Sequence, residues 1–372
     1  MIYLDYQATT PLAPAALDAM VPYMEGIFGN PHSSHRPGRE ARAAVELARE
    51  RLAAAFGPGG SILFTGGATE AINLALKGAW ARRPAGRDRI VTIATEHAAV
   101  LDSVNWLATQ GADVCILPVG ADGIVDLAAA ADAITDRTAI VAAMLVNNEI
   151  GVVQPVAALS ALARGAGALM LSDAVQGFGR VAFDPADVDL VALSSHKIHG
   201  PKGIGALWVR DGVALEPQMH GGGQEMGVRS GTLATALCVG FGVAAKIMRE
   251  HQDADLSHVR HLWTHARHLL GDSWTLNGSD SARYFGNLNV RLPGLDAGRL
   301  ISETRRIAIS AGSACASGSG RPSHVLTAIG LTPAEARSSL RIGFGRYTTA
   351  DEIEEAMHLI REAANRQGID QA

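Results

Sequence analysis

Cysteine is scarce in this chain of 372 residues, which contains three, Cys115, Cys238 and Cys315. They are far apart, odd in number and form no C-x-x-C pair, which argues against a disulfide framework and against a structural zinc site. Cys115 and Cys238 lie in apolar stretches, where a thiol packs as a small hydrophobe. Cys315 lies instead in "SAGSACASGSG", whose small residues favour a loop.

An excess of basic charge and long apolar runs are also missing. The formal net charge of −5 provides no positive field for nucleic acid, so we expect no nucleic-acid partner. No window reaches the ~18 uninterrupted apolar residues of a membrane span. The first residues, "MIYLDYQATT", show no basic stretch followed by an apolar core. We therefore expect no membrane partner and a cytoplasmic location.

A metal-binding pattern is incomplete. The segment "REHQDADLSHVRHLWTHARHLL" predicts a long helix in which His261 and His265 are i, i+4 neighbours. Two histidines at this spacing can bind zinc, but no Glu or third ligand completes the pattern. We interpret these residues as a solvated helix face and predict no metal site.

Apolar runs alternate with helical patterns over most of residues 1–250. The runs that predict strands are "SILFT", "RIVTIAT", "ADVCILPV", "AIVAAMLV", "ALMLSD", "VDLVALSS" and "GIGALWVR". This alternation is typical of a mostly parallel sheet with helices on both faces. The remaining sequence alternates strands and helices around one Gly/Ser/Ala loop, which predicts a smaller α+β lobe.

Polar residues follow these predicted strands at the point where each strand ends. They are Thr69, Glu96, His97, Asn147, Asn148, Glu149, Asp173, Gln176, Ser194, Ser195, His196 and Lys197. In open α/β sheets ligands collect at the carboxyl ends of the strands, so these side chains predict one polar pocket.

The segment "TGGATEAINLALKG" places two glycines before a helix whose first turn contains Thr69. Backbone N–H groups and the positive end of the helix dipole would there face a phosphate. A plain strand-to-helix turn capped by Thr69 explains the same residues equally simply. The segment is neither a Walker A loop nor a Rossmann fingerprint.

Two charged residues end buried strands. A lysine withdrawn from water has a destabilised ammonium, so Lys197 would become nucleophilic and suited to a Schiff base, unless its side chain extends to solvent. Asp173 would need a cationic partner, such as a protonated pyridine nitrogen, unless it caps the following turn. Gln176 would reach the same ring. His97 would lie on the ring or carry protons, although a lone histidine is more often structural.

The chain resembles the NifS/IscS-like cysteine desulfurases from Tyr3 to about Thr349. The segments that match in order and spacing are "YLDYQATTP", "FGNPHSSHRPGREAR", "FTGGATEAINLALKG", "TEHAAVLD", "VNNEIGVVQP", "SDAVQG", "SSHKIHGPKGIGAL", "GGGQEMGVRSGT", "SAGSACASGSGRPSHVL" and "SSLRIGFGRYTT". These are pyridoxal phosphate (PLP) enzymes of the class-V aminotransferase family and of fold type I. The resemblance implies an α/β large domain, residues 14–250, with a mostly parallel seven-stranded sheet flanked by helices. Residues 1–13 and 251–372 would form a smaller α+β domain that carries the Cys315 loop.

The resemblance also implies where PLP is bound. Lys197 would bind the cofactor covalently, with Asp173 on the pyridine nitrogen, Gln176 on the phenolate oxygen and His97 stacked on the ring. The positions that match phosphate-binding residues are Ala68, Thr69, Ser194, His196 and Thr232. Because Thr232 matches a residue that reaches the phosphate of the partner subunit, the resemblance implies a homodimer.

The substrate implied by the resemblance is L-cysteine. Arg341 would bind its carboxylate through the planar guanidinium, helped by Asn148, which also faces the cofactor, and Arg346 is the nearby alternative. Cys315 would accept the sulfur as a persulfide while alanine is released, with its thiolate formed beside a base such as His97. We favour Lys197 over His97 as the base that removes the α-proton.

The sequence therefore predicts a cysteine desulfurase that supplies sulfur for iron–sulfur clusters or thio-cofactors, with an acceptor protein such as an iron–sulfur scaffold as partner. Selenocysteine lysis, another PLP-dependent lysis and transamination are the alternatives on the same cofactor. An inactive scaffold would predict loss of Lys197, Asp173 or Arg341, and all three are present.

Overall fold

The computed structural model describes residues 1–311 and 323–369, so the predicted sulfur acceptor Cys315 lies outside the described residues. The strands are β1 (Ile2–Tyr3), β2 (Gly60–Thr65), β3 (Arg89–Ile93), β4 (Asp113–Leu117), β5 (Thr138–Ala142), β6 (Leu169–Asp173), β7 (Leu190–Ser194), β8 (Gly205–Arg210), β9 (Thr275–Leu276), β10 (Asn287–Arg291), β11 (Ile307–Ala308), β12 (Ser310–Ala311) and β13 (Ser339–Gly343).

The helices alternate with these strands along much of the chain. They are α1 (Pro14–Glu25), α2 (Arg36–Ala53), α3 (Ala68–Ala81), α4 (Ala98–Thr109), α5 (Leu127–Ala133), α6 (Val156–Ala166), α7 (Thr235–Leu270), α8 (Ala297–Glu303), α9 (His324–Ala328), α10 (Pro333–Arg337) and α11 (Ala350–Arg366). Short 3₁₀ helices cover Pro185–Asp187, Ser195–Lys197 and Glu225–Gly227.

A seven-stranded sheet forms the centre of the larger part of the molecule, with strand order β2-β8-β7-β6-β5-β3-β4. Strand β8 runs antiparallel to both of its neighbours, and the other pairs are parallel. Strands β5 and β7 are buried along their whole length, which is why they read as continuous apolar runs in the sequence. The predicted α/β fold and its predicted strands are confirmed.

A second, antiparallel sheet has strand order β12-β13-β10-β9. In it Asn289 of β10 lies opposite Arg341 of β13. The chain's first strand reaches this part of the molecule, because β1 pairs with β11 in parallel and Asp5 bridges to Gly343. The predicted domain boundary at residue 250 falls inside helix α7, and the division into residues 14–250 and 1–13 with 251–372 stays a prediction.

Helix α7 confirms the predicted long helix and carries the two histidines noted above. The rings of His261 and His265 stack with centroids 6.4 Å apart, and His265 contacts Glu354 at 3.0 Å. Within residues 1–311 and 323–369, no three or more His, Cys, Asp or Glu side chains lie where they could hold a metal ion. None of the helices in the described chain is both long and apolar enough to cross a bilayer.

The two cysteines predicted for the core differ in burial. Cys238 in α7 is fully buried as expected, and burial raises the pKa of its thiol to about 12. Cys115 in β4 is half-buried and packs against the edge of the core. The strand is exposed on one side because β4 lies at the edge of the sheet.

Two glycine-to-alanine substitutions in helices should change stability in opposite directions. A Cβ on Gly242 of α7 would lie 2.6 Å from the Cα of Ala48 in α2, whereas a Cβ on Gly165 of α6 meets nothing within 4 Å. Gly242→Ala should therefore lower the free energy of unfolding by about 1–3 kcal/mol through overpacking. Gly165→Ala should raise it by about 0.5–1 kcal/mol. Urea unfolding measures both, and a shift in the same direction would contradict this account of the α2–α7 contact.

Candidate active site

The carboxyl ends of the parallel strands open into a cleft of about 860 Å³. The predicted site residues that line it are Ala68, Thr69, His97, Asn148, Asp173, Gln176, Ser194, His196, Lys197 and Arg341. Residues after β2, β3, β5, β6 and β7 thus meet at one place, as ligand sites of open α/β sheets do. Thr232 is exposed and does not line this cleft, so its predicted role in a partner's site stays a prediction.

Lys197 lies in the 3₁₀ turn that follows β7 and points into the cleft instead of extending to solvent. Its Nζ donates hydrogen bonds to the backbone carbonyls of Gln7 at 2.6 Å and Ala8 at 2.7 Å. Burial, followed by the positive charges of Arg180 and Arg341, lowers the pKa of this amine to about 8. A neutral, nucleophilic amine is therefore accessible near neutral pH.

Arg180 and Gln7 hold the neighbours of Lys197 in place, and sequence reasoning assigned neither of them a role. The guanidinium of Arg180 donates to Gln176 Oε1 at 2.5 Å and to the Lys197 carbonyl. Gln176 Nε2 donates to the same Gln7 carbonyl that accepts from Lys197, at 2.8 Å. The turn after Asp173 thus brings Gln176 into the cleft.

Asp173 is the last residue of β6 and is buried in the floor of the cleft. Its Oδ1 accepts from the backbone N–H of Val175 at 2.9 Å, so the carboxylate does cap the following turn. Burial raises the pKa of Asp173, while the charges of His97 and Lys197 oppose that rise. A cationic ring nitrogen would stabilise this carboxylate in its buried position.

Two more carboxyl groups are buried nearby, of which Glu149 lines the cleft and Glu96 does not. Glu96 accepts from the Met144 N–H, while its Oε2 has no partner among the described residues, and burial followed by the charge of Asp173 raises its pKa well above the ordinary value. Glu149 accepts from the Ser323 hydroxyl, and burial raises its pKa as well. Both were visible in the sequence as acidic residues at strand ends, but nothing in the pattern assigned them a role.

Three of the described histidines line the cleft, namely His97, His196 and His324, and the first two are predicted site residues. His97 precedes α4 and caps it, because Nδ1 accepts from the Ala99 N–H at 3.1 Å. His196 lies 3.1 Å from the Thr9 hydroxyl through Nδ1. Burial and nearby cations lower the pKa of His196 to about 4, so that ring is neutral near neutral pH.

Helix α3 presents an N-terminus to the cleft without a side-chain cap, although the sequence allowed a cap by Thr69. The first N–H groups of an α-helix have no partner within the helix and bind anions well. The loop before it packs closely on β8, since a Cβ on Gly205 would lie 2.6 Å from the carbonyl carbon of Gly67. The loop and the first turn of α3, residues 66–69, therefore form a concave backbone surface that fits a phosphate, which we call the phosphate cradle.

Arg341 on β13 reaches the cleft. It is 1% exposed and donates to Asp5 Oδ1 at 2.8 Å and to the Asn148 carbonyl at 3.1 Å, so it is no surface salt bridge. Its Nε is buried and has no hydrogen-bond partner within the part of the chain that the structure describes. The alternative, Arg346, instead pairs with Asp255 at 2.5 Å outside the lining of this cleft.

Comparison with known proteins gives consistent results. The family model for aminotransferase class-V matches residues 2–356. The cysteine desulfurase IscS of Rickettsia bellii is 45% identical over 374 residues, which cover 98% of this chain and 91% of that protein. A second IscS, from Rickettsia akari, is 45% identical over 368 residues, or 96% of this chain and 90% of the relative.

Solved structures resemble the chain over nearly its whole length. A structure described as a NifS-like protein superposes with a TM-score of 0.90 at 31% identity and covers 98% of this chain and 99% of its own. The structure of SspA in complex with cysteine gives a TM-score of 0.84 at 36% identity, with 94% of this chain and 100% of that chain covered.

The lowered pKa of Lys197 predicts the pH at which this amine reacts. Because burial disfavours the ammonium, the neutral amine appears at lower pH than in an ordinary lysine, whose pKa is about 10.4. In the full chain freed of carbonyl compounds, labelling of the Lys197 peptide by an amine-selective electrophile should reach half its maximum near pH 8. Mass spectrometry measures the labelling, with Lys197→Ala as the blank. A midpoint above about 10, the ordinary range, would contradict the described burial.

Proposed function

Because this chain belongs to the aminotransferase class-V family, we propose that it is a PLP-dependent cysteine desulfurase, which converts L-cysteine to L-alanine and transfers the sulfur to Cys315. The observation that carries this proposal is the meeting of three features in one cleft. They are the desolvated amine of Lys197, the buried carboxylate of Asp173 and the uncapped N-terminus of α3.

The cleft fits PLP through these same features. Lys197 would hold its aldehyde carbon, Asp173 its pyridine nitrogen and the N-terminus of α3 its phosphate, with Ser194 and His196 on the phosphate side. Gln176 and His97 would contact the ring. When bound, PLP supplies an electron sink for negative charge that develops on the α-carbon of an amino acid.

The substrate carboxylate is bound by Arg341 in this proposal. Hydrogen bonds to Asp5 and to the Asn148 carbonyl fix its guanidinium plane, and the unpartnered Nε leaves donor capacity for a further acceptor. A fixed planar fork suits a carboxylate better than a mobile ammonium. This placement orients the α-carbon of L-cysteine toward the Lys197 side of the cleft.

Once the amino group of the substrate has displaced Lys197 from the cofactor, the freed Nζ would take the α-proton of the substrate. Its pKa of about 8 allows the amine to be neutral at a pH where an ordinary lysine is almost fully charged, and it can still carry the proton once accepted. His97, whose Nδ1 accepts from the Ala99 N–H, has less freedom to act as this base through that nitrogen.

The Cys315 thiolate completes the reaction. It attacks the sulfur of the bound cysteine, so that a sulfur–sulfur bond forms as the carbon–sulfur bond breaks, and the former Cβ is protonated to give alanine. The persulfide then passes its outer sulfur to an acceptor protein, such as an iron–sulfur scaffold. Thr232 contributes to the phosphate site of the partner in a homodimer, which accounts for its exposed position in a single chain.

Replacing the acceptor thiol tests the proposed function. Cys315→Ser should reduce alanine and sulfide release from L-cysteine to background, because the substitution removes the sulfur nucleophile, while the PLP absorbance of the purified protein remains. Cys115→Ser, which replaces a half-buried thiol at the sheet edge, is the matched control and should leave turnover unchanged. Full turnover by Cys315→Ser would instead favour a lyase that needs no thiol acceptor.

Replacing the guanidinium of Arg341 by an ammonium tests the proposed substrate site. Arg341→Lys keeps the charge beside Asp5 but loses the bidentate geometry, so the KM for L-cysteine should rise about tenfold or more, as expected for lost hydrogen bonds to a charged group. Steady-state kinetics measure the rise, and the bound PLP should stay unchanged. Arg346→Lys removes the same geometry outside the cleft and should leave KM near the wild-type value. Equal effects of the two variants would exclude Arg341 as the carboxylate ligand.

A further inference from the structure

An ion pair between Glu70 and Arg229 lies directly behind the loop that forms the phosphate cradle. Glu70 is in the first turn of α3, and its Oε2 accepts from the N–H of Gly66 at 2.6 Å. Arg229 Nε donates to Glu70 Oε1 at 2.7 Å, and its terminal nitrogen reaches Oε2 at 3.2 Å. The two side chains are 28% and 16% exposed, so the pair is largely shielded from water.

Glu70 carries a negative charge beside a site that would bind a dianion. Burial opposes this charge, but hydrogen bonds from Arg229 and Gly66 outweigh it and lower the pKa of Glu70 below its ordinary value. An unpaired carboxylate here would repel a phosphate at the N-terminus of α3, because the repulsion between two negative charges is weakly screened in a partly buried site. The guanidinium of Arg229 cancels that charge.

Glu70 also fixes the shape of the cradle. It accepts from the Gly66 N–H, so this donor is directed at Glu70, although Gly66 lines the cleft together with Gly67, Ala68 and Thr69. A Cβ on Gly66 would approach Glu70 Oε2 to 2.9 Å, which shows how closely the carboxylate lies on the loop.

Arg229 is itself held by the segment that contains it. Its backbone bridges to Met219, and the Gln224 side chain accepts from the Gly231 N–H at 2.8 Å. Upstream, the buried carboxylate of Glu225 pairs with Arg49 at 2.7 Å. The guanidinium is thus presented to Glu70 from a fixed backbone, and the same segment carries Thr232.

We propose that Glu70 and Arg229 are positioning residues for the cofactor phosphate. Glu70 sets the conformation of the loop at Gly66–Thr69, and Arg229 neutralises Glu70 so that the loop accepts a dianion. The inference rests on the proposed function, since it takes the phosphate to be that of PLP.

A double-mutant cycle tests the pair. Holoenzyme of the wild type, Arg229→Gln, Glu70→Gln and the double variant is dialysed against falling PLP concentrations, and retained cofactor is measured by absorbance. Arg229→Gln should raise the PLP dissociation constant about tenfold, because it leaves an unpaired carboxylate beside the phosphate. The double variant should bind PLP more tightly than Arg229→Gln, since the second change removes that carboxylate.

Three controls distinguish the effect of losing the Arg229 charge from a general disruption of the structure. Pyridoxal, which lacks the phosphate, should bind Arg229→Gln as well as it binds the wild type. Arg229→Lys keeps the positive charge and should keep PLP affinity near the wild-type value. Glu216→Gln breaks an exposed ion pair with Arg82 and should have no effect.

The outcomes separate the two proposals. If Arg229→Gln lost affinity for pyridoxal and for PLP equally, the positioning role would be overturned and the desulfurase proposal would stand. The same holds if the double variant bound PLP no more tightly than Arg229→Gln. A wild-type chain that retains no PLP would overturn the desulfurase proposal, and the positioning role with it.

Discussion

The amine of Lys197 is held by two backbone carbonyls, those of Gln7 and Ala8, in a cleft that removes much of its hydration. The carbonyls satisfy its N–H donors without supplying the full negative charge that would keep it an ammonium. Burial can then lower its pKa to about 8 while the side chain stays fixed in position. A carboxylate in place of these carbonyls would stabilise the ammonium form of Lys197 and remove the nucleophile. The chemistry of the cleft therefore depends on the fact that the hydrogen-bond acceptors around Lys197 are uncharged.

The other charges of the cleft are arranged around that amine. Asp173 and Glu96 are both buried, burial raises the pKa of each carboxyl group, and the charge of Asp173 raises that of Glu96 further. On the other wall, Arg341 is already neutralised by Asp5 and bound to the Asn148 carbonyl. This arrangement supports the proposal that a cationic ring binds beside Asp173 and a carboxylate beside Arg341.

Much of this arrangement could be predicted from the sequence, for physical reasons that differ between residues. Strands such as β5 and β7 are buried on both faces, so they appear as unbroken apolar runs, and the polar residues that follow them must gather at one edge. Arg180, Gln7 and Glu70 act through contacts between segments far apart in the chain or between a side chain and a backbone amide. Periodicity and spacing contain no signal for such contacts, so the support around Lys197 and behind the phosphate cradle became visible only in three dimensions. Cys315 was identified by its motif, and it lies outside the residues that the structure describes.

The pairing of β1 with β11, together with the contact of Asp5 with Arg341, also bears on how the enzyme is made. The carbonyls for Lys197 belong to Gln7 and Ala8, shortly after β1, whereas β11, the partner strand of β1, is translated some three hundred residues later. Contacts of such long sequence separation form late, because the entropy of closing the loop is lost before they contribute. We therefore expect the central sheet to form before β1 pairs with β11 and before the residues that follow β1 enclose Lys197.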